Sequence, residues 1–277
     1  MIKFPLAMNN FSIRRHTLPA AIYRNAENRY HARQVGRMII LFTDFGIEGP
    51  YLGQLQAVLH KLSPGATVIN LISNAPQANP ELSSYLLAAL RHDFPCGTLF
   101  LAVVDPGVGG ARLPVVLKAG GQFFVGPENG LFNTVAIHSS EVSWQQIIWQ
   151  PENCSMSFHG RDLFAPVAAN IFLGTAKNML KPLMPVDLSE WQADLCKIIY
   201  FDHFGNAFTG IRYQDALLNK HLQVGSQTLQ QAQTFSKVKK GRAFWYKNAC
   251  GLVEIAVNQG NAQQQLHLQL GQSINFL

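Results

Sequence analysis

At 277 residues, with 48% hydrophobic and 14% charged residues, the chain has the composition of a well-packed globule rather than a disordered one. No uninterrupted apolar run reaches the roughly 18 to 20 residues that a membrane helix needs, so a soluble protein without a membrane partner is expected. The formal charge of +6 arises within residues 1–37, where Lys3, Arg14, Arg15, Arg24, Arg29, Arg33 and Arg37 face one anion, Glu27; the rest of the chain is neutral and gives no electrostatic reason to expect nucleic acid.

Residues 1–37 lack sustained periodicity, which predicts a flexible basic extension. Their apolar stretch at residues 4–8 is too short for the core of a secretory signal. A clean pattern begins at Met38, where a short apolar run ends in Thr43-Asp44-Phe45-Gly46. It reads as a buried parallel strand with a loop at its carboxyl end. Residues 51–62 repeat at helical spacing and stop at Ser63-Pro64-Gly65. Residues 67–72 form a second strand, Pro80 opens a helix to about His92, and residues 98–104 form a third strand running into Asp105-Pro106-Gly107. Alternating strands and helices predict an α/β domain over residues 38–180 with a parallel sheet, helices on its faces, and Asp44 and Asp105 at strand ends where such sheets bind ligands.

A further helix is expected at residues 163–173, preceded by Phe158-His159-Gly160-Arg161-Asp162. Two prolines within Lys181-Pro182-Leu183-Met184-Pro185 predict a linker, placed at residues 181–190. Beyond it, short alternating segments at 197–201, 207–212 and 251–257 predict a small all-β domain over residues 191–277. Cys96, Cys154, Cys196 and Cys250 form no CxxC pair, which excludes the common zinc-finger and thioredoxin spacings and fits reduced thiols in a cytoplasmic protein.

The richest stretch for chemistry is Val104-Asp105-Pro106-Gly107-Val108-Gly109-Gly110-Ala111-Arg112, a tight loop that brings backbone close to a ligand. Taken alone it reads equally well as a glycine-rich turn with a solvated Asp. It lacks the GxGxxG spacing of a dinucleotide fingerprint. His159 stands just before a helix, whose first turn can hold anions or ligand carbonyls. Asp44 has no kinase signature around it, and a strand-end carboxylate can accept both hydroxyls of a ribose. Phe204-Gly205-Asn206 and Asn258-Gln259-Gly260-Asn261 each read singly as hairpin turns. No metal-ligand spacing and no GxSxG appear.

The motifs TDFG, VDPGVGGAR, GPENGL, FHGRDLFAP, DHFGN and EIAVNQGNA follow one another in a single order. In that order the chain resembles the S-adenosyl-L-methionine (SAM) hydroxide adenosyltransferase family, the SAM hydrolases related to bacterial fluorinase and chlorinase. The resemblance spans residues 38–277. It implies a Rossmann-like N-terminal domain, a C-terminal β-barrel, and a homotrimer with sites between one subunit's N-domain and its neighbour's C-domain. It also implies a water-handling triad of Asp105, Arg112 and His159, with Asp44 on the ribose. Asn206 falls on the adenine contact with Phe204 nearby, and residues 257–259 including Asn258 on a second adenine-side segment; Glu48 and Asp202 are the carboxylates left to reach the substrate amine.

The implied reaction converts SAM to adenosine and L-methionine without a metal or cofactor. Halide-transferring relatives carry Ser at the position of Gly160 and Tyr at that of Asp105, so the resemblance favours water over halide. A non-catalytic adenosyl-binding protein is the other reading. Gly49, Ala249 and Gly210 replace polar residues that help the family hold the methionyl group, so the adenosyl half is expected to be the better recognised.

Overall fold

The computed structural model describes residues 38–277; the extension expected over residues 1–37 lies outside them. Among the described residues, no helix is long and apolar enough to cross a membrane.

Met38–Thr43 (β1) has five consecutive buried residues, because both faces of the strand are covered. Ile40 and Phe42 face one core with helix α2 (Pro80–Leu90), while Ile39 and Leu41 face the other with α1 (Pro50–Leu62) and α4 (Ala165–Leu173). This two-sided burial is why the strand reads as a continuous apolar run. Helix α2 starts where the Asn79 side chain accepts from the Leu82 N–H at 3.0 Å, with Pro80 following. Helix α4 ends on Gly174 in the left-handed conformation.

The strands Thr67–Ile72 (β2), Leu99–Val103 (β3), Pro114–Ala119 (β4), Gln122–Pro127 (β5), Val142–Ile147 (β6) and Leu180–Leu183 (β7) join β1 in one sheet, ordered β2-β1-β3-β5-β4-β6-β7. The four strands β2, β1, β3 and β5 are parallel. The expectation of a parallel sheet is corrected for the other half, where β4, β6 and β7 run antiparallel. The cause is local: β4 and β5 are joined by Gly120-Gly121, both at positive φ (56° and 76°), a two-residue turn that closes only an antiparallel hairpin. A short helix, Asn133–Ile137 (α3), follows β5.

The expected linker is corrected at its start. Residues 180–183 form β7, pairing Pro182 with Gln145. A proline lacks the N–H a central strand needs, and β7 accommodates it because it lies at the edge of the sheet.

The C-terminal part is rich in sheet. Leu195–Phe201 (β8), Ala207–Arg212 (β9), Ala243–Lys247 (β12) and Leu252–Val257 (β13) form an antiparallel sheet ordered β12-β13-β9-β8. Leu222–Val224 (β10), Gln227–Leu229 (β11) and Ile274–Phe276 (β14) form a second one. Both close on one core around Trp245, with Ile198, Val224, Val253, Ile255 and Ile274. A short helix, Ala262–Gln265 (α5), follows β13.

Phe100 and Phe124 stack between β3 and β5 with centroids 4.9 Å apart, both fully buried. Phe100→Ala is expected to lower unfolding stability by about 3–5 kcal/mol, read from the urea midpoint at constant slope.

Candidate active site

Strand β1 pairs β2 on one side and β3 on the other, with Thr43 opposite Val103. The chain thus reverses direction of travel across the sheet at β1, and the crevice at the carboxyl ends of β1 and β3 is the usual ligand position in open α/β sheets. Asp44 follows β1 and Asp105 follows β3 there.

Asp105 and Arg112 are nearly enclosed, their side chains 4% and 10% exposed. Arg112 Nε donates to both Asp105 oxygens at 3.1 and 3.0 Å, and Nη2 approaches Oδ2 at 2.5 Å. The same Nη2 lies 2.8 Å from His159 Nδ1. A guanidinium can only donate, so Nδ1 is the acceptor and the neutral imidazole carries its proton on Nε2. Burial and the neighbouring Arg112 charge push the His159 pKa below its ordinary value, against smaller opposing effects of Asp105 and Asp162. The Arg112 guanidinium also lies 5.2 Å from the centre of the buried Phe164 ring.

The hairpin β4–β5 explains how Arg112 reaches Asp105. Its closed end is Gly120-Gly121; its open end pairs Pro114 with Pro127, and the Glu128 N–H continues the ladder to the Leu113 carbonyl at 2.8 Å. Arg112 and Asn129 therefore emerge side by side. Asn129 Nδ2 donates to the Val104 carbonyl at 2.9 Å and holds the strand end that precedes Asp105. Within the glycine-rich loop, Gly109 sits at φ 77°, and a Cβ there would stand 2.6 Å from the Met156 carbonyl oxygen. The loop can lie against the segment leading to His159 only with glycine at that position.

His159 leads into a π-helical turn at Gly160–Phe164, ahead of α4; such turns concentrate at functional sites. Its neighbour Arg161 pairs with Asp162 at 2.6 Å, donates to Gln54 Oε1 at 3.0 Å and lies 5.1 Å from the centre of the Phe158 ring. Asp162 also accepts from the Ser155 N–H at 2.9 Å, and chiefly its bond to Arg161 lowers its pKa. These groups brace the turn.

Asp44 Oδ2 accepts from the Ala78 N–H at 2.9 Å. Burial raises its pKa, with backbone N–H groups opposing and Asp105 adding to the rise. Asp44, Phe45, Asp105, Phe158, His159 and Gly160 are among the residues lining a cavity of about 110 Å³. A second cavity of about 420 Å³ shares Asp44 and Phe45 and continues past Asn74, Gln77, Tyr200 and Phe201. Among the described residues, no three His, Cys, Asp or Glu side chains converge as a metal site would need.

The C-terminal candidates form their own cluster. Asp202 accepts from the Phe204 and Asn206 backbone N–H groups at 2.9 and 2.8 Å and from Asn206 Nδ2 at 2.9 Å, which fixes the turn. Phe204 is 71% exposed. The Gln263 N–H donates to the Gly205 carbonyl at 2.9 Å, tying this turn to the start of α5 just beyond the Asn258-Gln259-Gly260-Asn261 turn. Asn258 Nδ2 donates to the Val238 carbonyl at 2.6 Å. Asp202, Phe204, Asn206 and Asn258 do not line the cavity that contains Asp105.

Sequence reasoning missed Asn129, although GPENGL stood out as a motif. It also missed Glu254, 2% exposed, which accepts from the Tyr246 hydroxyl at 2.5 Å and Asn248 Nδ2 at 3.0 Å beneath the loop bearing Ala249. Burial raises the pKa of Glu254 and of Tyr246 alike. Of the three substituted positions, Gly49 has room: a Cβ there would meet only the Tyr51 ring, at 3.6 Å. At Gly210 a Cβ would stand 2.6 Å from Leu195 Cβ and 2.7 Å from its carbonyl oxygen. Gly210 therefore has a packing reason of its own, the close approach of β8.

Residues 39–181 match the SAM hydroxide adenosyltransferase N-terminal domain, and residues 196–275 the C-terminal domain. A curated protein of Thermus thermophilus named (R)-S-adenosyl-L-methionine hydrolase is 34% identical over 87% of this chain and 100% of its own length. Its namesake in Salinispora arenicola is 32% identical over 84% and 94%. A crystal structure of an uncharacterised conserved protein from Thermotoga maritima superposes with a TM-score of 0.79 at 31% identity, covering 86% of this chain and 99% of the other. Matched along nearly all of its described length, the chain belongs to the SAM hydroxide adenosyltransferase family.

Proposed function

We propose that the protein hydrolyses SAM to adenosine and L-methionine, with Asp105, Arg112 and His159 handling the water. The observation that carries this is the Asp105–Arg112–His159 chain of contacts at the β1/β3 crevice of a chain similar to named SAM hydrolases. The oxygen of water bonds to the ribose 5′ carbon as the carbon–sulfur bond breaks. The electron pair of that bond goes to sulfur, which leaves as the neutral thioether of methionine. Sulfonium is a good leaving group, so the displacement calls for no metal or cofactor. Asp105 orients the water and accepts its proton; Arg112 and His159 stabilise the hydroxide-like charge. Positioning is worth up to about 7–11 kcal/mol, and general-base assistance about 10²–10⁴-fold.

Asp44 takes the ribose hydroxyls in this reading. We read the N-terminal part as Rossmann-like and the two C-terminal sheets as a barrel. Asp202, Phe204, Asn206 and Asn258 would serve a neighbouring subunit's site in a homotrimer, a reading supported by their absence from the lining of the cavity that holds Asp105 and by the exposure of Phe204. A serine in place of Gly160 would put a Cβ 3.2 Å from Phe45 Cζ and 3.3 Å from Phe158 Cε2, which disfavours a halide pocket. The four free cysteines fit a cytoplasmic location.

Incubation of the protein with the (R) and (S) sulfonium epimers of SAM, followed by chromatography of the nucleoside, tests the reaction. Adenosine is expected, and faster from the (R) epimer that the relatives' name specifies. A halogenated nucleoside, or binding without product, would overturn the hydrolase reading. Asp105→Asn is expected to slow adenosine release at least a hundredfold with adenosine affinity kept within a few-fold; near-normal turnover would remove Asp105 from the mechanism.

The pH profile follows from the tautomer. The working form of His159 is neutral, and its pKa lies below the ordinary 6.5. A group with a depressed pKa keeps its neutral form as pH falls through the ordinary value. Hence the acid limb that His159 gives to kcat/KM is expected to have its midpoint below 6.5, as Nδ1 takes a proton and loses its bond from Arg112. An acid limb centred above 6.5 would contradict this assignment.

Gly49 is the N-cap of α1 and has no side chain to cap it. Gly49→Asp is expected to stabilise the fold by a few tenths of a kcal/mol. It should also raise SAM affinity about tenfold relative to adenosine, because a charged hydrogen bond to the amine is worth about 1.5–3 kcal/mol. Calorimetric titration with both ligands in the Asp105→Asn background reads the ratio.

A further inference from the structure

We propose that Phe45, Tyr51 and Phe158 form the face of the site that recognises the positive sulfur of the substrate; this rests on the adenosyl-sulfonium reading above. The three rings meet edge to face in every pairing, with centroids 5.6 Å apart for Phe45–Phe158, 5.2 Å for Tyr51–Phe158 and 6.2 Å for Phe45–Tyr51. Phe45 and Phe158 line the cavity that contains Asp44, Asp105 and His159. Tyr51 is 50% exposed.

Their neighbours in the chain fix what part of a ligand each would meet. Phe45 follows Asp44, the carboxylate for the ribose. Phe158 precedes His159, on the side of the water. The Tyr51 ring lies 3.6 Å from the Cβ position of Gly49, at the methionyl end. The sulfur is bonded both to the ribose 5′ carbon and to the methionyl chain, so it must lie between those ends, where the rings are.

The charge balance points the same way. The carboxylates lining this cavity are Asp44 and Asp105. Asp105 is committed to Arg112, and Asp44 to the Ala78 N–H and the ribose. An aromatic face is then the remaining attraction for a soft, weakly hydrated cation, which binds ring faces within about 6 Å of their centres. The ring of Phe158 already carries one such contact, from Arg161 at 5.1 Å. Gly160 supports the arrangement: any side chain there would crowd Phe45 and Phe158 at 3.2 and 3.3 Å.

The test compares SAM with S-adenosylhomocysteine, the thioether lacking the methyl group and the charge, and with adenosine. Dissociation constants are measured in the Asp105→Asn background for Tyr51→Leu, Phe45→Leu and Tyr51→Phe. Each leucine variant is expected to weaken SAM by about 5- to 30-fold and to leave S-adenosylhomocysteine and adenosine within twofold, whereas Tyr51→Phe keeps the original preference. Equal weakening of all three ligands would make the rings a mere structural support and overturn the proposal. So would an unchanged ratio of SAM to S-adenosylhomocysteine. Tyr51→Leu alters a half-exposed ring and decides the question should Phe45→Leu fail to fold. The two readings fail separately: lack of adenosine production by the unmodified protein sinks the hydrolase, while a flat ratio in an active one sinks only the aromatic face.

Discussion

The ion pair between Arg112 and Asp105 sets the arrangement of everything around it. Taking two charges out of water costs several kcal/mol each, so an enclosed pair adds little net stability. What it supplies is orientation. One planar guanidinium engages both carboxylate oxygens and, through the same Nη2, the imidazole of His159. A lysine could satisfy one of these partners as a point charge but could not hold both planes at once. Because a guanidinium donates and cannot accept, His159 Nδ1 is kept as an acceptor and Nε2–H is left for a reacting water.

The two halves of the large sheet divide the labour of building that contact. Its parallel half supplies the crevice, by ending β1 and β3 side by side with a carboxylate after each. Its antiparallel half delivers the cation. The chain turns at Gly120-Gly121 and comes back in register to Pro127 opposite Pro114, so residues just outside the hairpin, Arg112 and Asn129, converge on the end of β3. An all-parallel sheet would have required a crossover between β4 and β5, and Asn129 would not have returned to Arg112.

This is also where sequence legibility ends. The strands β1 to β3 and helices α1 and α2 were readable because two-sided burial leaves apolar runs, and prolines and Asn79 mark the helix starts. The Asp44, Asp105 and His159 segments stood out by local composition. The antiparallel strands did not, although Gly120-Gly121 between apolar stretches was a hairpin signal in plain view. Pro182 reads as a breaker in the sequence because edge position is a property of the sheet, not of the segment. The roles of Asn129 and Glu254 escape the sequence for a similar reason: a side chain's bond to a strand end 25 residues away, or to the half-buried Tyr246, belongs to no local pattern.

The C-terminal turn is held by hydrogen bonds more than by burial. Asp202 spends three acceptor positions on its own loop, and that loop presents Phe204 to solvent at 71% exposure. Ordering a turn costs about 1–2 kcal/mol per residue, and burying its largest apolar side chain is the usual offset. Here the turn is held by the Asp202 bonds and by the Gln263 N–H on the Gly205 carbonyl, while the Phe204 ring meets the His203 ring with centroids 5.5 Å apart and stays largely in solvent. Asp44 and Phe45, meanwhile, border an open cavity of about 420 Å³ beside the small one that holds Asp105. Both features fit the homotrimer proposed above, in which the turn of one copy would meet the crevice of another.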